Sequence, residues 1–212
     1  MTARFDRSLL PRRPDLCFEQ PLWQAGWLHV CGIDEAGRGA LAGPVAAAAV
    51  ILPADEQVLT ALHGVDDSKR LTPAGRDTWA EKIRQVARAH GIGFASSQEI
   101  DAWGIVPATR LAMQRAIDSL VLLSDHLLLD CIFLPEVPVP QTSLIKGDCR
   151  SLSIAAASIL AKTARDASMR TLDMQFPAYG FATHKGYGTS AHRRMIAEFG
   201  PSAVHRKSFH LV

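Results

Sequence analysis

The chain has 212 residues, 48% of them hydrophobic, and a formal net charge of +2. That length supports one sizeable core with at most a small appended part, and it argues against two full domains. A charge so near neutrality permits nucleic-acid binding without requiring it, so the placement of basic residues matters more than their sum.

Residues 1–27 carry Pro11, Pro14 and Pro21 without periodicity, and read as an extended or partly ordered leader. Arg4, Arg7, Arg12 and Arg13 lie there with no signal-type hydrophobic region, and the longest apolar run, 45–52, is far too short to span a bilayer. A soluble, cytoplasmic protein with no membrane contact is expected. Cys17, Cys31, Cys131 and Cys149 show neither C-x-x-C pairing nor zinc-ligand spacing. They are expected to be reduced, with Cys31 and Cys131, inside apolar runs, acting as small buried hydrophobes.

The core is expected to begin at Leu28. Residues 28–33 read as a strand, and Val45 opens a second over 45–52, the two forming a hairpin across a glycine-rich turn. Further strands are expected over 91–95, 127–130 and 143–146. Thr72-Pro73 has the form of an N-cap followed by proline at the first helical position, predicting a helix to about residue 83. A second helix is predicted over 107–121 and a third over 153–174. The third is alanine-rich, yet Ser158, Lys162 and Asp166 recur at four-residue steps and so share one face. That stripe is either a solvated face with one ion pair or a functional surface. Mixed strands and helices of this kind make an α/β or α+β layered domain.

Chemistry concentrates at Ile33-Asp34-Glu35-Ala36-Gly37-Arg38-Gly39. Two adjacent carboxylates where a buried strand emerges are costly unless a cation compensates them, and Mg²⁺ or Mn²⁺ takes oxygen ligands of this type. Gly37 and Gly39, lacking Cβ atoms, let the backbone take positive φ and approach a sugar or phosphate closely. Asp130 ends the apolar run Leu127-Leu128-Leu129 and would be expensive there without a partner, whether a salt bridge or a metal. Asp166 offers a fourth acid. If the strands ending at 34 and 130 are neighbours and the third helix packs across them, the four carboxylates converge, and their repulsion raises some pKa values until cations bind. Such a cluster suits a two-metal phosphodiesterase.

The run from Gly32 to Gly39, followed by Leu41-Ala42-Gly43-Pro44-Val45, closely resembles the signature of the type 2 ribonucleases H, in their bacterial ribonuclease HII branch. Asp66-Asp67-Ser68-Lys69, Lys146-Gly147-Asp148, Ala155 to Asp166, His184-Lys185-Gly186-Tyr187 and His205-Arg206-Lys207-Ser208-Phe209 continue the resemblance in order. It implies an RNase H-like fold over 28–212, a central mixed β-sheet flanked by helices with a small helical C-terminal part. It also implies an endoribonuclease that cuts 5′ to ribonucleotides in RNA:DNA hybrids and at single ribonucleotides in duplex DNA, leaving 3′-hydroxyl and 5′-phosphate ends. Position by position, Asp34, Glu35, Asp130 and Asp166 match the metal-binding acids, and Tyr187 matches the recognition tyrosine.

A lone 2′-hydroxyl is both donor and acceptor, and the backbone of Gly37-Arg38-Gly39 suits it. Lys69, Lys146 and Lys162 are candidate backbone contacts, which position a duplex without reading sequence. Ser158 would hold a phosphate or bond its own helix. The C-terminal basic residues, among them Lys185, Arg193, Arg194, Arg206 and Lys207, read either as a solvated surface or as a phosphate-binding face. Cys131 stands where the family commonly has glycine, leaving the backbone after the third acid less free. The chain stops three residues after Phe209, so a sliding-clamp contact is unsupported, and nothing demands more than a monomer. Two other readings are a binding module without chemistry, against which four acids argue, and a nucleotide-cofactor enzyme. For the latter the spacing of Gly37, Gly39 and Gly43 is wrong.

Overall fold

The computed structural model describes residues 6, 10–66, 68 and 70–211. Within them Glu19–Gln24 forms α1, Val30–Ala36 β1, Val45–Ile51 β2, Gln57–Ala61 α2, Pro73–Val86 α3 and Ala89–Ala95 β3. Ser97–Trp103 forms α4, Ile105–Asp118 α5, His126–Asp130 β4, Gln141–Leu144 β5, Leu152–Gln175 α6, Phe181–His184 α7 and Ser190–Phe199 α8. The strand order is β3-β2-β1-β4-β5. β1 is antiparallel to β2 and β2 to β3, whereas β1–β4 and β4–β5 are parallel. The result is the expected central mixed sheet.

Strand alternation sorts the core into two layers. Cys31 and Ile33 of β1 pack with Ala108, Ala112 and Met113 of α5, while Ala36, Ala48 and Val50 pack with Ala155, Ala156 and Ile159 of α6. The first ten residues of α6 are buried on every side, which its alanines permit because they let the helix approach the sheet closely. At Gly32 the approach reaches its limit, since a Cβ would stand 2.2 Å from the Ser153 carbonyl carbon and 2.5 Å from Ile154 N.

Several boundaries differ from expectation. β1 runs on through Asp34 and Glu35, because its ladder with β2 continues to Ala36↔Ala46 although its ladder with β4 stops at Ile33↔Leu129. The two acids therefore belong to the strand, held on one edge only. β5 ends at Leu144, two residues before the predicted limit, where Lys146 turns into left-handed φ of 60°. α4 is not foreseen, although Ser96 and Glu99 form a reciprocal capping box at its start and Gly104, at φ 85°, separates it from α5.

The expected leader also differs, since it contains α1 and a wholly buried Glu19. Glu19 Oε1 accepts hydrogen bonds from Ser151 Oγ at 2.6 Å, Ser153 N at 3.0 Å and Ser153 Oγ at 2.7 Å. The leader thus caps α6, and burial raises the Glu19 pKa against those donors. At the other end Ala42, Met169, Tyr179 and Phe181 form a small separate core beneath α7 and α8. Among the described residues no helix is long and apolar enough to cross a membrane.

Candidate active site

The contact at Gly32 sets the geometry of everything downstream. From it, two residues of strand advance about 6.7 Å and five of helix about 7.5 Å, so β1 reaches Asp34 as α6 reaches Ser158. The Ser158 hydroxyl lies against the Asp34 carboxylate and acts to lower its pKa. Ser158 Oγ also lies 2.9 Å from Ser68 Oγ. With Asp34 ionised, Ser158 donates to it and receives from Ser68, which fixes the direction of the chain. The stripe serine therefore orients an acid.

Asp130 arrives through strand register. β4 pairs with β1 as Leu128↔Gly32 and Leu129↔Ile33, so one step further along places Asp130 beside Asp34 on the same face. Its Oδ1 accepts the Gly147 N–H at 2.8 Å. Glu35 is engaged by Arg38 Nη1 at 3.2 Å. Asp34, Glu35, Asp130, Ser158, Lys162 and Tyr187 all line one cavity of about 190 Å³. Burial, then the Glu35 carboxylate, then Asp130 push the Asp34 pKa well above the usual carboxylate range.

Asp166 is placed differently. It lies on α6 with Oδ1 2.5 Å from Lys162 Nζ and Oδ2 3.5 Å from Arg76 Nη2, a residue of α3. Its carboxylate is thus neutralised by two cations and is absent from the cavity lining. Among the described residues, no three His, Cys, Asp or Glu side chains are arranged to hold one ion. The oxygen-only donor set is nonetheless of the type that hard divalent cations take, and an added cation would relieve the penalty on Asp34.

The glycine turn owes its shape to two buried arginines. Arg165 donates from Nε to the Pro44 carbonyl at 3.0 Å, from Nη1 to Lys185 O at 3.0 Å and from Nη2 to Ala42 O at 3.3 Å. Arg206 donates to Gly43 O, Arg38 O and Pro44 O at 3.0, 2.8 and 3.1 Å. Both are 0% exposed, and burial lowers both pKa values, Arg206 to about 9. Gly37 adopts φ 93°, and a Cβ there would fall 1.8 Å from Arg165 Nε. That glycine is required by the protein's own packing. Gly39 has no positive φ, and nothing stands within 4 Å of where its Cβ would be, so only this second glycine has its side-chain space open to a ligand.

Tyr187 sits at the cavity margin with Lys162 Nζ 5.8 Å and Arg165 Cζ 5.3 Å from its ring centroid, and is 37% exposed. Lys146 is exposed on the turn whose next residue binds Asp130. Lys69 lies outside the described residues. Arg206, expected on a solvated or phosphate-binding surface, is buried instead, and the roles of Arg76, Arg165 and Ser68 escape a reading of the sequence, since a buried arginine leaves no periodic trace. The one available signal is that Ser68, Arg165 and Arg206 fall within family-like motifs.

Cys131 is exposed, not buried as expected, and takes φ 52°. A non-glycine residue there costs about 1–2 kcal/mol, partly offset by the entropy glycine would lose on folding. Cys131→Gly is therefore expected to raise stability by up to about 1 kcal/mol, read as a higher urea midpoint, with cleavage unchanged.

The ribonuclease HII family model matches residues 31–212. Ribonuclease HII of Chloroflexus aurantiacus is 52% identical over 197 residues, covering 92% of this chain and 93% of that protein. The structure of the PCNA:RNase HII complex from Archaeoglobus fulgidus superposes with a TM-score of 0.72 at 27% identity, covering 87% of this chain and 96% of that one. Bst-RNase HIII in complex with Mn²⁺ shares the fold with a TM-score of 0.65 at 19% identity, covering 89% and 69%. The chain therefore belongs to the ribonuclease HII family, the metal-dependent type 2 ribonucleases H that act on RNA:DNA hybrids with Mg²⁺ or Mn²⁺.

Proposed function

We propose that this enzyme hydrolyses the phosphodiester on the 5′ side of a ribonucleotide, both in RNA:DNA hybrids and at single ribonucleotides within duplex DNA. It leaves 3′-hydroxyl and 5′-phosphate ends. The observation that carries this reading is adjacency, because Asp34, Glu35, Asp130 and Tyr187 line one cavity and Gly37 lines it too.

Asp34, Glu35, Asp130 and Asp166 are the groups that would hold divalent ions, Asp166 only in competition with Lys162 and Arg76. Ions held there would supply the charge needed to activate a water for in-line attack and to stabilise the departing oxygen. Ser158, steadied by Ser68, keeps Asp34 oriented, and the Gly147 N–H does the same for Asp130. Glu35 is held by Arg38.

Recognition is assigned to the Gly37-Arg38-Gly39 backbone and to Tyr187, whose ring would lie against the sugar while its hydroxyl joins the 2′-hydroxyl network. Lys146, Lys162 and, on sequence alone, Lys69 would meet backbone phosphates. The free thiols of Cys17, Cys31, Cys131 and Cys149 suit a reducing cytoplasm.

With Mg²⁺ or Mn²⁺ the purified protein is expected to cut an RNA:DNA hybrid and a DNA duplex holding one ribonucleotide, while an all-DNA duplex stays intact. A chelator should abolish both activities. Absence of cleavage with either metal would contradict the proposal.

A further inference from the structure

His192 and His205 lie outside the carboxylate cluster and are 0% and 1% exposed. Their Nε2 atoms are 3.0 Å apart. Each ring has its other nitrogen tied to a backbone group whose role is fixed. His205 Nδ1 lies 2.9 Å from the Ser202 N–H, which can only donate, and 2.8 Å from Ser202 Oγ, which can donate as well, so Nδ1 carries a lone pair and the proton sits on Nε2. His192 Nδ1 lies 3.0 Å from the Tyr187 carbonyl, which can only accept, so that nitrogen carries the proton and Nε2 the lone pair. The two ends independently demand the same direction. Ser202 N–H donates to His205, His205 to His192, and His192 to the Tyr187 carbonyl. Two protonated rings would set N–H against N–H at the centre.

The surroundings keep both rings neutral. His192 stacks on His184 at 4.3 Å and meets the Phe181 ring edge-on at 5.5 Å, while the Tyr179 ring lies 4.9 Å from His205. Burial pushes the His192 pKa down to about 4 and lowers that of His205. The segment carrying His205 is itself woven into the glycine turn. Ala42 bridges His205, Gly43 N–H donates to Val204 O at 2.8 Å, and Arg206 N–H donates to Leu41 O at 2.9 Å. On the other side Leu41 N–H donates to Gly186 O at 2.8 Å, next to Tyr187. One end of the relay is therefore fixed to the turn and the other to the tyrosine.

We infer that His192 and His205 are positioning residues, a neutral, one-directional hydrogen-bond relay that holds Tyr187 in register with the Gly37–Gly39 turn. The inference rests on the reading of Tyr187 as the group that contacts the sugar.

Two measurements test it. In the unmodified protein at neutral pH, imidazole ¹⁵N shifts should show His205 protonated at Nε2 and His192 at Nδ1. The opposite tautomer or a charged ring at either position would overturn the relay, and this readout does not depend on any variant folding. The second is a double-mutant cycle on a duplex with one ribonucleotide. His192→Phe, which keeps the ring and removes both bonds, should lower kcat/KM about tenfold, yet add less than about twofold in a Tyr187→Ala background. Full additivity, with Tyr187→Ala itself impaired, would overturn the inference alone. An unimpaired Tyr187→Ala would instead refute the reading of Tyr187 and the inference with it. His205→Phe repeats the cycle should His192→Phe fail to fold.

Discussion

Asp34→Asn is expected to lower the rate of cleavage by on the order of 10³-fold or more, while affinity for a ribonucleotide-containing duplex changes little. The magnitude follows from losing several kcal/mol of charge stabilisation at a metal-assisted step, at about 1.4 kcal/mol for each factor of ten. Asparagine has the same shape and still accepts from Ser158, so the cavity and the recognition groups stay in place. The same substitution removes one of three mutually repelling carboxylates. In chelator it should therefore stabilise the fold, by about 1 kcal/mol, the usual signature of a site whose function opposes stability. Kinetics, binding and a denaturant midpoint on one variant check all three parts. A non-catalytic binding protein would have no cleavage to lose.

Gly32→Ala is expected to destabilise the protein by about 3 kcal/mol, at the upper end for overpacking. The added methyl would meet three backbone atoms of Ser153 and Ile154 within 2.5 Å, none of which can swing away. The helix must retreat from β1, carrying Ser158 and Asp166 with it, so activity at temperatures where the variant remains folded should fall as well. Equilibrium urea unfolding measures the first effect and cleavage rates the second. A loss below about 1 kcal/mol with normal activity would mean that α6 does not rest on β1 at this point.

These two residues also show what sequence makes legible. Asp34 announces itself, because an acid in an apolar strand beside Glu35 has few inexpensive explanations. Asp130 does so for the same reason, and the parallel register then brings it next to Asp34. Asp166 is harder to place. It stands in the expected stripe, but its second partner, Arg76, comes from a helix ninety positions earlier, which no local pattern reports. Gly37 and Gly39 look equivalent in sequence, yet one is required by Arg165 and the other faces open space. Arg165 and Arg206 are the clearest case of invisibility. Their burial depends on carbonyls of residues 38–44 and 185 turning toward them, a property of the assembled turn and not of either helix or loop alone.

The carboxylates and the glycine turn are neighbours in the chain, and the account holds that this adjacency fixes where the strand is cut. The most direct test uses an end-labelled DNA duplex with one ribonucleotide, incubated with the protein and Mg²⁺ or Mn²⁺, its products mapped to single-nucleotide resolution. A single nick immediately 5′ to the ribonucleotide, with a 3′-hydroxyl upstream and a 5′-phosphate on the ribonucleotide, is the predicted result. Cleavage on its 3′ side, or at positions indifferent to it, would contradict the account.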